Sequence, residues 1–393
     1  MTRPWSELSE SALHLGLNEV AAMCARLRRD PALRGRIAAI VAPESGLHSA
    51  SVDRLLWHWA DGFAADAFLA RATQLREDGA RARGPIVIVA PSNLPVAAWT
   101  ASLEALLLGL SVRLRPASGD PGGPRALQRL LAEAAPSLVG RLRLVEARRG
   151  DDSAWRAITS DAGAIVAFGG EPALDAIAAR APAGIPVRRH GPKVSLGLLR
   201  GGPGPQADAV VDGLLEDALL ADGRGCLSLR ALLVEGSQAD AMAWAQALAH
   251  AAPAIRQRWP AGTLDPALLA QARLAAEADA VDAAIAGGVV VRAAGLACSA
   301  IATPLHRGLR LAQLGPGAGL LRLFAVPPGT DLAELLRPLQ RQLAALVTPE
   351  VATWQAEPAA SPLFYARCPP GRMQAPRWHL HDGVEAGTAL FAR

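Results

Sequence analysis

The sequence predicts an α/β protein made of two doubly wound domains with a cleft between them, and three observations carry that prediction. Short apolar runs rich in β-branched residues recur between stretches of helical periodicity, starting with Ile86-Val87-Ile88-Val89. Of 393 residues, 51% are apolar and 19% charged, enough to bury a large core and to divide it between domains. One segment, Gly201-Gly202-Pro203-Gly204-Pro205, interrupts the rhythm as a hinge or crossover would.

The elements follow in order. Residues 1–83 read as helical, because apolar positions return at helical spacing through 13–27 and 52–75 with charges between them. Gly84-Pro85 then introduces 86–90, whose β-branched side chains and lack of alternation suit a parallel strand buried on both faces. A helix over 95–110 and a strand over 111–114 complete a βαβ unit, followed by a Gly/Pro-rich loop over 116–124. The pattern repeats with a helix at 125–135, an extended segment at 142–146, a helical turn at 154–159, a strand at 164–168, a helix at 172–179, and strands at Val187 and 194–199. Beyond the glycine-proline segment come a helix at 207–221, a strand at 231–235, helices at 239–251 and 266–286, strands near 289–292 and 321–326, and a helix at 331–345. The tail from Glu350 carries Pro and Trp with little periodicity. The expected organisation is a helical region plus nucleotide-binding domain over 1–205, a second α/β domain over 206–349, and an arm over 350–393 that returns to the first domain.

Charge and composition exclude several classes. A net charge of +4 spread among alternating acids and arginines argues against nucleic acid and suits an anionic small molecule such as a coenzyme. Only one of the 40 basic residues is a lysine, Lys193. Arg3, Glu7 and Glu10 lack the apolar stretch of a secretory signal, and the apolar run 287–305 is broken by Arg292, so a cytoplasmic chain without a membrane span is expected. Cys24, Cys226, Cys298 and Cys368 stand far apart without a CxxC pair, so no metal site or disulfide framework is expected. A free thiol of this kind is by default a small buried hydrophobe.

Four segments carry candidate chemistry. In Gly223-Arg224-Gly225-Cys226-Leu227-Ser228, glycines let a ligand approach the backbone and a cysteine follows at the start of a short helical turn, where N–H groups favour a thiolate. Read alone, it is equally a buried turn cysteine. Val89-Ala90-Pro91-Ser92-Asn93-Leu94-Pro95 places Asn93 at the carboxyl end of a strand, where its amide can donate to an oxyanion or cap the next helix. Phe168-Gly169-Gly170-Glu171-Pro172 is a strand, a tight turn and a helix start able to hold a pyrophosphate, or a plain βα connection. His190-Gly191-Pro192-Lys193 precedes a strand and reads either as a functional histidine or as a rigid turn with a surface one.

In this order and form the segments resemble the aldehyde dehydrogenase superfamily, and within it the acyl-CoA reductase branch, the fatty-acid reductase type known from bacterial luminescence. Pro91-Ser92-Asn93-Leu94-Pro95, the stretch 105–116 with its Leu-Arg-Pro ending, and Ser118-Gly119-Asp120-Pro121 resemble the first cofactor-domain block. Phe168-Gly169-Gly170 is similar to the phosphate-binding turn, His190-Gly191-Pro192-Lys193 to the branch's His-Gly-Pro motif, and Gly225-Cys226-Leu227-Ser228 to the nucleophile segment. Gly371-Arg372-Met373-Gln374-Ala375-Pro376, Trp378 and His381-Asp382-Gly383 resemble its C-terminal signature.

The resemblance implies that Cys226 takes the acyl group from a thioester, that Asn93 and the Cys226 N–H form an oxyanion hole, and that hydride from a reduced nicotinamide releases an aldehyde. Where hydrolytic members carry a Glu-Leu-Gly-Gly-Lys base, this chain has Arg189-His190-Gly191-Pro192-Lys193, so the water-activating carboxylate is missing and His190 is left as an acid/base candidate. The implied cofactor contacts are Pro91, Ser92, Arg115, Ser118, Gly169 and Gly170. Ser118 stands where NAD-specific members often place Glu, and Arg115 can pair with a 2′-phosphate, which favours NADPH with NADH as the alternative. The implied donor is an acyl-CoA or an acyl-carrier-protein thioester, with an acyl phosphate or a non-catalytic nucleotide-binding role as the competing readings and a homo-oligomer as one assembly.

Overall fold

A parallel strand buried on both faces must be covered by helices, and the chain meets that requirement twice. The computed structural model describes residues 3–4, 9–82, 84–117, 122–148, 150–302, 309–351 and 363–392. The chain forms two compact units: Met1–Ser45, Val52–Pro192 and Ala375–Arg393 make the first, and Gly46–Ser51 with Lys193–Gln374 the second. No helix among the described residues is long and apolar enough to cross a membrane.

The first unit starts with helices α1 (Glu10–Arg29) and α2 (Pro31–Ser45), then α3 (Ser49–Asp61) from Val52 onward and α4 (Ala65–Glu77). Helix α1 shows why the sequence is helical: Ser9 caps it by accepting from the Ala12 N–H, and Leu13, Leu17, Val20, Cys24 and Leu27 bury one face. The periodic stretch 52–75 is divided between α3 and α4. The break falls at Gly62, where a Cβ would lie 1.7 Å from the carbonyl oxygen of Pro376, so only glycine permits the approach. Trp378 follows on that returning segment; its indole N–H donates to the Trp59 carbonyl at 2.9 Å, and its ring packs 4.2 Å from that of Trp59.

The open sheet of this unit contains β1 (Ile86–Val89), β2 (Val112–Arg115), β3 (Leu142–Leu144), β4 (Ala164–Phe168) and β5 (Val187–His190). All are parallel, in the order β3-β2-β1-β4-β5, with Ile86 opposite both Val112 and Ala164. Helices α5 (Ala97–Leu107), α6 (Gly122–Ala134), α7 (Asp152–Thr159) and α8 (Glu171–Ala179) connect them. The expected loop over 116–124 is shorter than its glycines suggest, since α6 already begins at Gly122. Gly122 and Gly123 are there for packing: a Cβ on Gly123 would lie 2.6 Å from the Pro95 carbonyl. The strand order reverses between β1 and β4, which makes their carboxyl ends the switch point of the sheet.

The second unit holds β6 (Val194–Arg200), α9 (Ala207–Leu219), β7 (Leu229–Glu235), α10 (Gln238–Arg258), α11 (Pro266–Ala286), β8 (Gly288–Ala293), β9 (Leu296–Ile301), β10 (Leu320–Val326), α12 (Leu332–Leu336), β11 (Leu343–Val347) and β12 (Ala366–Cys368). Its sheet runs β8-β9-β10-β7-β6-β11-β12 and is parallel except for the β8–β9 hairpin. One apolar cluster around Leu214, Leu232, Trp244 and Leu248 and another around Leu196, Leu233, Leu336 and Leu346 bury it. Gly201–Pro205 is the β6–α9 connection inside this unit.

Two expectations are corrected here. The helix expected over 331–345 stops at Leu336 and yields to a 3-10 turn carrying Pro338, which has no N–H to give, and Leu343–Val347 is a buried strand. The expected strand at 289–292 is one arm of a hairpin whose other arm, β9, the sequence did not announce. Its turn is Ala294-Gly295, with φ of 48° and 77°, and Ala at the first left-handed position hides the usual Asn-Gly or Asp-Gly signal.

Candidate active site

In the first unit, the carboxyl ends of the strands collect most of the sequence-predicted positions. Pro91, Ser92 and Asn93 follow β1, Arg115 ends β2, Gly169 and Gly170 follow β4, and His190 ends β5. These are neighbours because the strands are, with Val89 opposite Arg115 and Ala167, and Phe168 opposite His190. Ser118 lies outside the described residues.

Gly170 is the N-cap of α8 and supplies no side-chain cap; Pro172 has no N–H and the Ala173 N–H donates to the Gly170 carbonyl at 3.0 Å, so the donors this turn can offer a ligand are the N–H groups of Gly170 and Glu171. Glu171, the acidic residue at that turn, is drawn aside by Arg189, whose Nη2 lies 2.8 Å from both Glu171 and Asp175. Arg115 donates from Nε to the Ala147 carbonyl at 2.6 Å, which fixes a cation at the end of β2. An uncapped glycine turn at a switch point, with a guanidinium at the carboxyl end of β2 two strands away, fits the pyrophosphate and adenosine phosphate of a dinucleotide. Asn93 is half-buried, and its Oδ1 accepts from the Leu94 N–H at 2.9 Å. It does not cap α5, whose N-cap position is Val96.

His190 departs from one of its readings: it is a buried strand residue with 4% exposure, not a surface histidine on a turn. The ring stacks on Phe168 at 4.5 Å with planes 12° apart, and its Nδ1 lies 2.6 Å from Asp382 Oδ2. His381 packs on the ring at 4.3 Å. The ligand-capable atoms of His190, His381 and Asp382 lie within 4.8 Å of one another. The two imidazole rings are tilted, with planes 31° apart.

Cys226 belongs to the second unit. The expectation of a helical turn starting there is corrected: the chain makes a hydrogen-bonded turn, Ser228 N–H to Gly225 carbonyl at 3.1 Å, and enters β7 at Leu229. The turn is held from several sides. The Gly225 N–H donates to Ser228 Oγ at 3.1 Å, Gln374 Nε2 donates to the same oxygen at 3.2 Å, and Ser195 Oγ donates to the Cys226 carbonyl at 3.0 Å. Just before it, Ala221, Asp222 and Gly223 have φ of 52°, 56° and 67°. Two non-glycine residues in that region cost about 1–3 kcal/mol each, an expense concentrated at constrained sites. Asp222 is buried and anchored by Arg256 Nη1 at 3.2 Å and the Gly262 N–H at 3.1 Å.

Other residues of this site were not visible in sequence. Arg230, four residues after Cys226, donates to the Gly315 carbonyl at 2.6 Å, while Gly317, with φ of 78°, leaves room for its guanidinium. Burial holds the Arg230 pKa below its ordinary value, and the charge of Cys226 pulls it back up. Asp217, fully buried on α9, accepts from the Gly371 N–H at 2.8 Å and the Met373 N–H at 3.0 Å. Burial raises its carboxyl well above the usual range against the pull of those amides. Asp217 thereby holds the segment that delivers Gln374 to Ser228. Strand alternation places Arg230 on a β-run, but nothing local marks Asp217 or Gln374. Lys193 donates to the Arg341 carbonyl at 2.9 Å and ties two segments of the second unit.

The four thiols separate by burial. Cys24 and Cys298 are buried, and burial pushes the Cys298 thiol up to about 12 and Cys24 higher still, whereas Cys226 and Cys368 are partly exposed. Alkylation of the native protein near about pH 8 should therefore label Cys226 and Cys368 and spare Cys24 and Cys298 until the chain is unfolded. Peptide mass mapping checks this, and a native Cys226 that resists reagent would count against an accessible nucleophile.

Solved structures share this fold. The structure is similar to aldehyde dehydrogenase 21 from Physcomitrella patens (14% identity, TM-score 0.65, 98% of this chain and 85% of that one). It is also similar to an NADP-dependent enzyme from E. coli (16%, 0.64, 94% and 83%) and to succinic semialdehyde dehydrogenase from Streptococcus pyogenes solved with NADP+ (15%, 0.63, 92% and 82%). At these identities the likeness establishes an aldehyde dehydrogenase fold. No curated protein matches the chain. Residues 62–392 match the acyl-CoA reductase (LuxC) family, most of the chain and all of the segments described above, and the protein belongs to that family of aldehyde-related oxidoreductases.

Proposed function

We propose that this protein reduces an acyl thioester, an acyl-CoA or acyl-carrier-protein thioester, to an aldehyde through an acyl-enzyme on Cys226, with NADPH preferred over NADH. The observation that carries this reading is the Cys226 turn: a partly exposed thiol in a turn braced by Ser195, Ser228 and Gln374, in a chain of the acyl-CoA reductase family. Its sulfur loses a proton, attacks the thioester carbon and displaces the donor thiolate, which takes up a proton in turn. One thioester replaces another, so no energy source is needed.

Asn93 is the side-chain donor to the oxyanion in both the formation and the breakdown of the acyl-enzyme. Arg189 stands where a hydrolytic relative has its water-activating carboxylate, so the acyl-enzyme is not directed to hydrolysis, and the imidazole of His190, one residue on, is the group that moves the proton. The glycine turn at Gly169-Gly170, together with Pro91, Ser92 and Arg115, holds the dinucleotide. When bound, the reduced nicotinamide supplies the hydride that converts the acyl group to aldehyde.

Incubation with mixed acyl-CoAs in the absence of NADPH should add an acyl mass to the peptide containing Cys226. Absence of any adduct with acyl-CoA and acyl-carrier protein alike would overturn the reading. In turnover, Asn93→Ala should lower kcat by about 10²–10³-fold, equivalent to about 2.7–4 kcal/mol, with little change in KM, because the donor is needed where charge develops. Steady-state kinetics decides it, and an unchanged kcat would remove Asn93 from the oxyanion hole.

A further inference from the structure

His190 carries a structural detail that family membership does not account for. Its side chain is only 3% exposed, its Nδ1 is bonded to Asp382, and its Nε2 is buried without a hydrogen-bond partner. A buried polar atom left unsatisfied costs about 1–3 kcal/mol, so the fold tolerates this one at a strand end for a reason. An ionised carboxylate only accepts, so Nδ1 must carry the hydrogen and Nε2 keeps the lone pair in the neutral ring. Phe168 and His381 hold the ring from its faces.

Asp382 is itself placed by a local device. Leu380–His381 and Val384–Glu385 form a hairpin with His381 opposite Val384, leaving Asp382-Gly383 as a two-residue turn with φ of 53° and 77°. Both values belong to a type I′ turn, where Asp-Gly and Asn-Gly are favoured because Asn and Asp tolerate the left-handed region. The turn alone would therefore accept asparagine at 382. The ring of His190 would sense the change: an asparagine NH2 turned to Nδ1 forces the hydrogen onto Nε2, and an asparagine oxygen turned to it is a neutral acceptor in place of a charged one.

We propose that Asp382 is the positioning residue for His190, holding the imidazole in the tautomer whose Nε2 accepts the proton released by the nucleophilic thiol and returns it to the departing thiolate. The assignment rests on the thioester chemistry proposed above. In this cycle the thiol S–H bond breaks as the Nε2–H bond forms, sulfur bonds to the acyl carbon as the donor C–S bond breaks, and the same proton passes to the released sulfur. No redox partner is required for the step.

The test is Asp382→Asn in the full-length protein, with three readouts. Thermal unfolding should be unchanged, because the turn keeps a favoured residue. Nitrogen-15 spectra of histidine-labelled protein, with the His190 signals assigned by their loss in His190→Gln, should show Nδ1–H in the parent. The rate of acyl transfer to Cys226 without nicotinamide, and kcat, should fall by about 10²-fold or more with KM for thioester unchanged, as expected when a general base is held in the wrong tautomer. A variant with the parent's acylation rate and kcat would reduce Asp382 to a turn residue and overturn the proposal, as would a parent protein whose neutral His190 carries its hydrogen on Nε2. Loss of activity on chelation, restored by zinc, would assign the cluster to a metal instead. If the parent protein never acylates, the thioester reading fails, while the tautomer spectra still decide whether Asp382 orients His190.

Discussion

Replacement of Cys226 by alanine is expected to lower thioester reduction by about 10⁴-fold or more, because removal of a covalent nucleophile leaves only binding and oxyanion stabilisation. Dinucleotide binding should be unaffected, since the residues proposed to hold it lie on the other unit, at the ends of β1, β2 and β4. Fluorescence titration with NADPH alongside the kinetics separates the two. Full activity in the variant would eliminate the acyl-enzyme mechanism. Cys368→Ala provides the contrast: its thiol is on the sheet-edge strand β12 and 4.0 Å from the Leu346 carbonyl, and its loss should leave turnover intact.

The second large effect concerns stability. Glu104, fully buried on α5, accepts from Arg188 Nη1 at 2.6 Å and from the Gly387 N–H at 2.7 Å. Arg188 is buried on β5 two residues before His190, so this carboxylate joins the helix, the strand that ends in the histidine, and the C-terminal segment. Glu104→Ala leaves a buried guanidinium without a counter-charge and a buried amide without an acceptor. Breaking such a pair from one side costs about 3–5 kcal/mol, and the melting temperature should drop on the order of 10 °C. An exposed control, Glu77→Ala, should stay within about 0.5 kcal/mol of the parent. Equal unfolding curves for the two variants would show that the pair contributes nothing.

The parallel strands were legible because their signal is local. Ile86–Val89 and Ala164–Phe168 are short, β-branched or small, and bounded by turn residues, which leaves few alternatives to a doubly covered strand. The glycine turn before α8 and the helix Pro266–Ala286, with Asp265 as cap and Pro266 behind it, were equally plain. Leu343–Val347 was misread because a leucine-rich stretch has acceptable helical spacing; its identity as a strand comes from pairing with β6 and β12. Strand β9 was missed because its partner β8 lies across an Ala-Gly turn with no turn signature.

What can be read from the sequence alone is the set of local segments: a cysteine in a glycine turn, an asparagine after the first strand, a histidine one residue past the place of a missing carboxylate, and the order that marks the acyl-CoA reductase family. Each of these is a run of adjacent residues, and adjacency is what a sequence records. Only the tertiary structure decided what holds those groups. Asp382 reaches His190 across 192 positions, Gln374 reaches Ser228 across 146, and Asp217 binds the backbone of Gly371 across 154. These contacts depend on directional hydrogen bonds between buried groups, and no local propensity distinguishes an aspartate in a hairpin turn from one that also orients a ring on a distant strand.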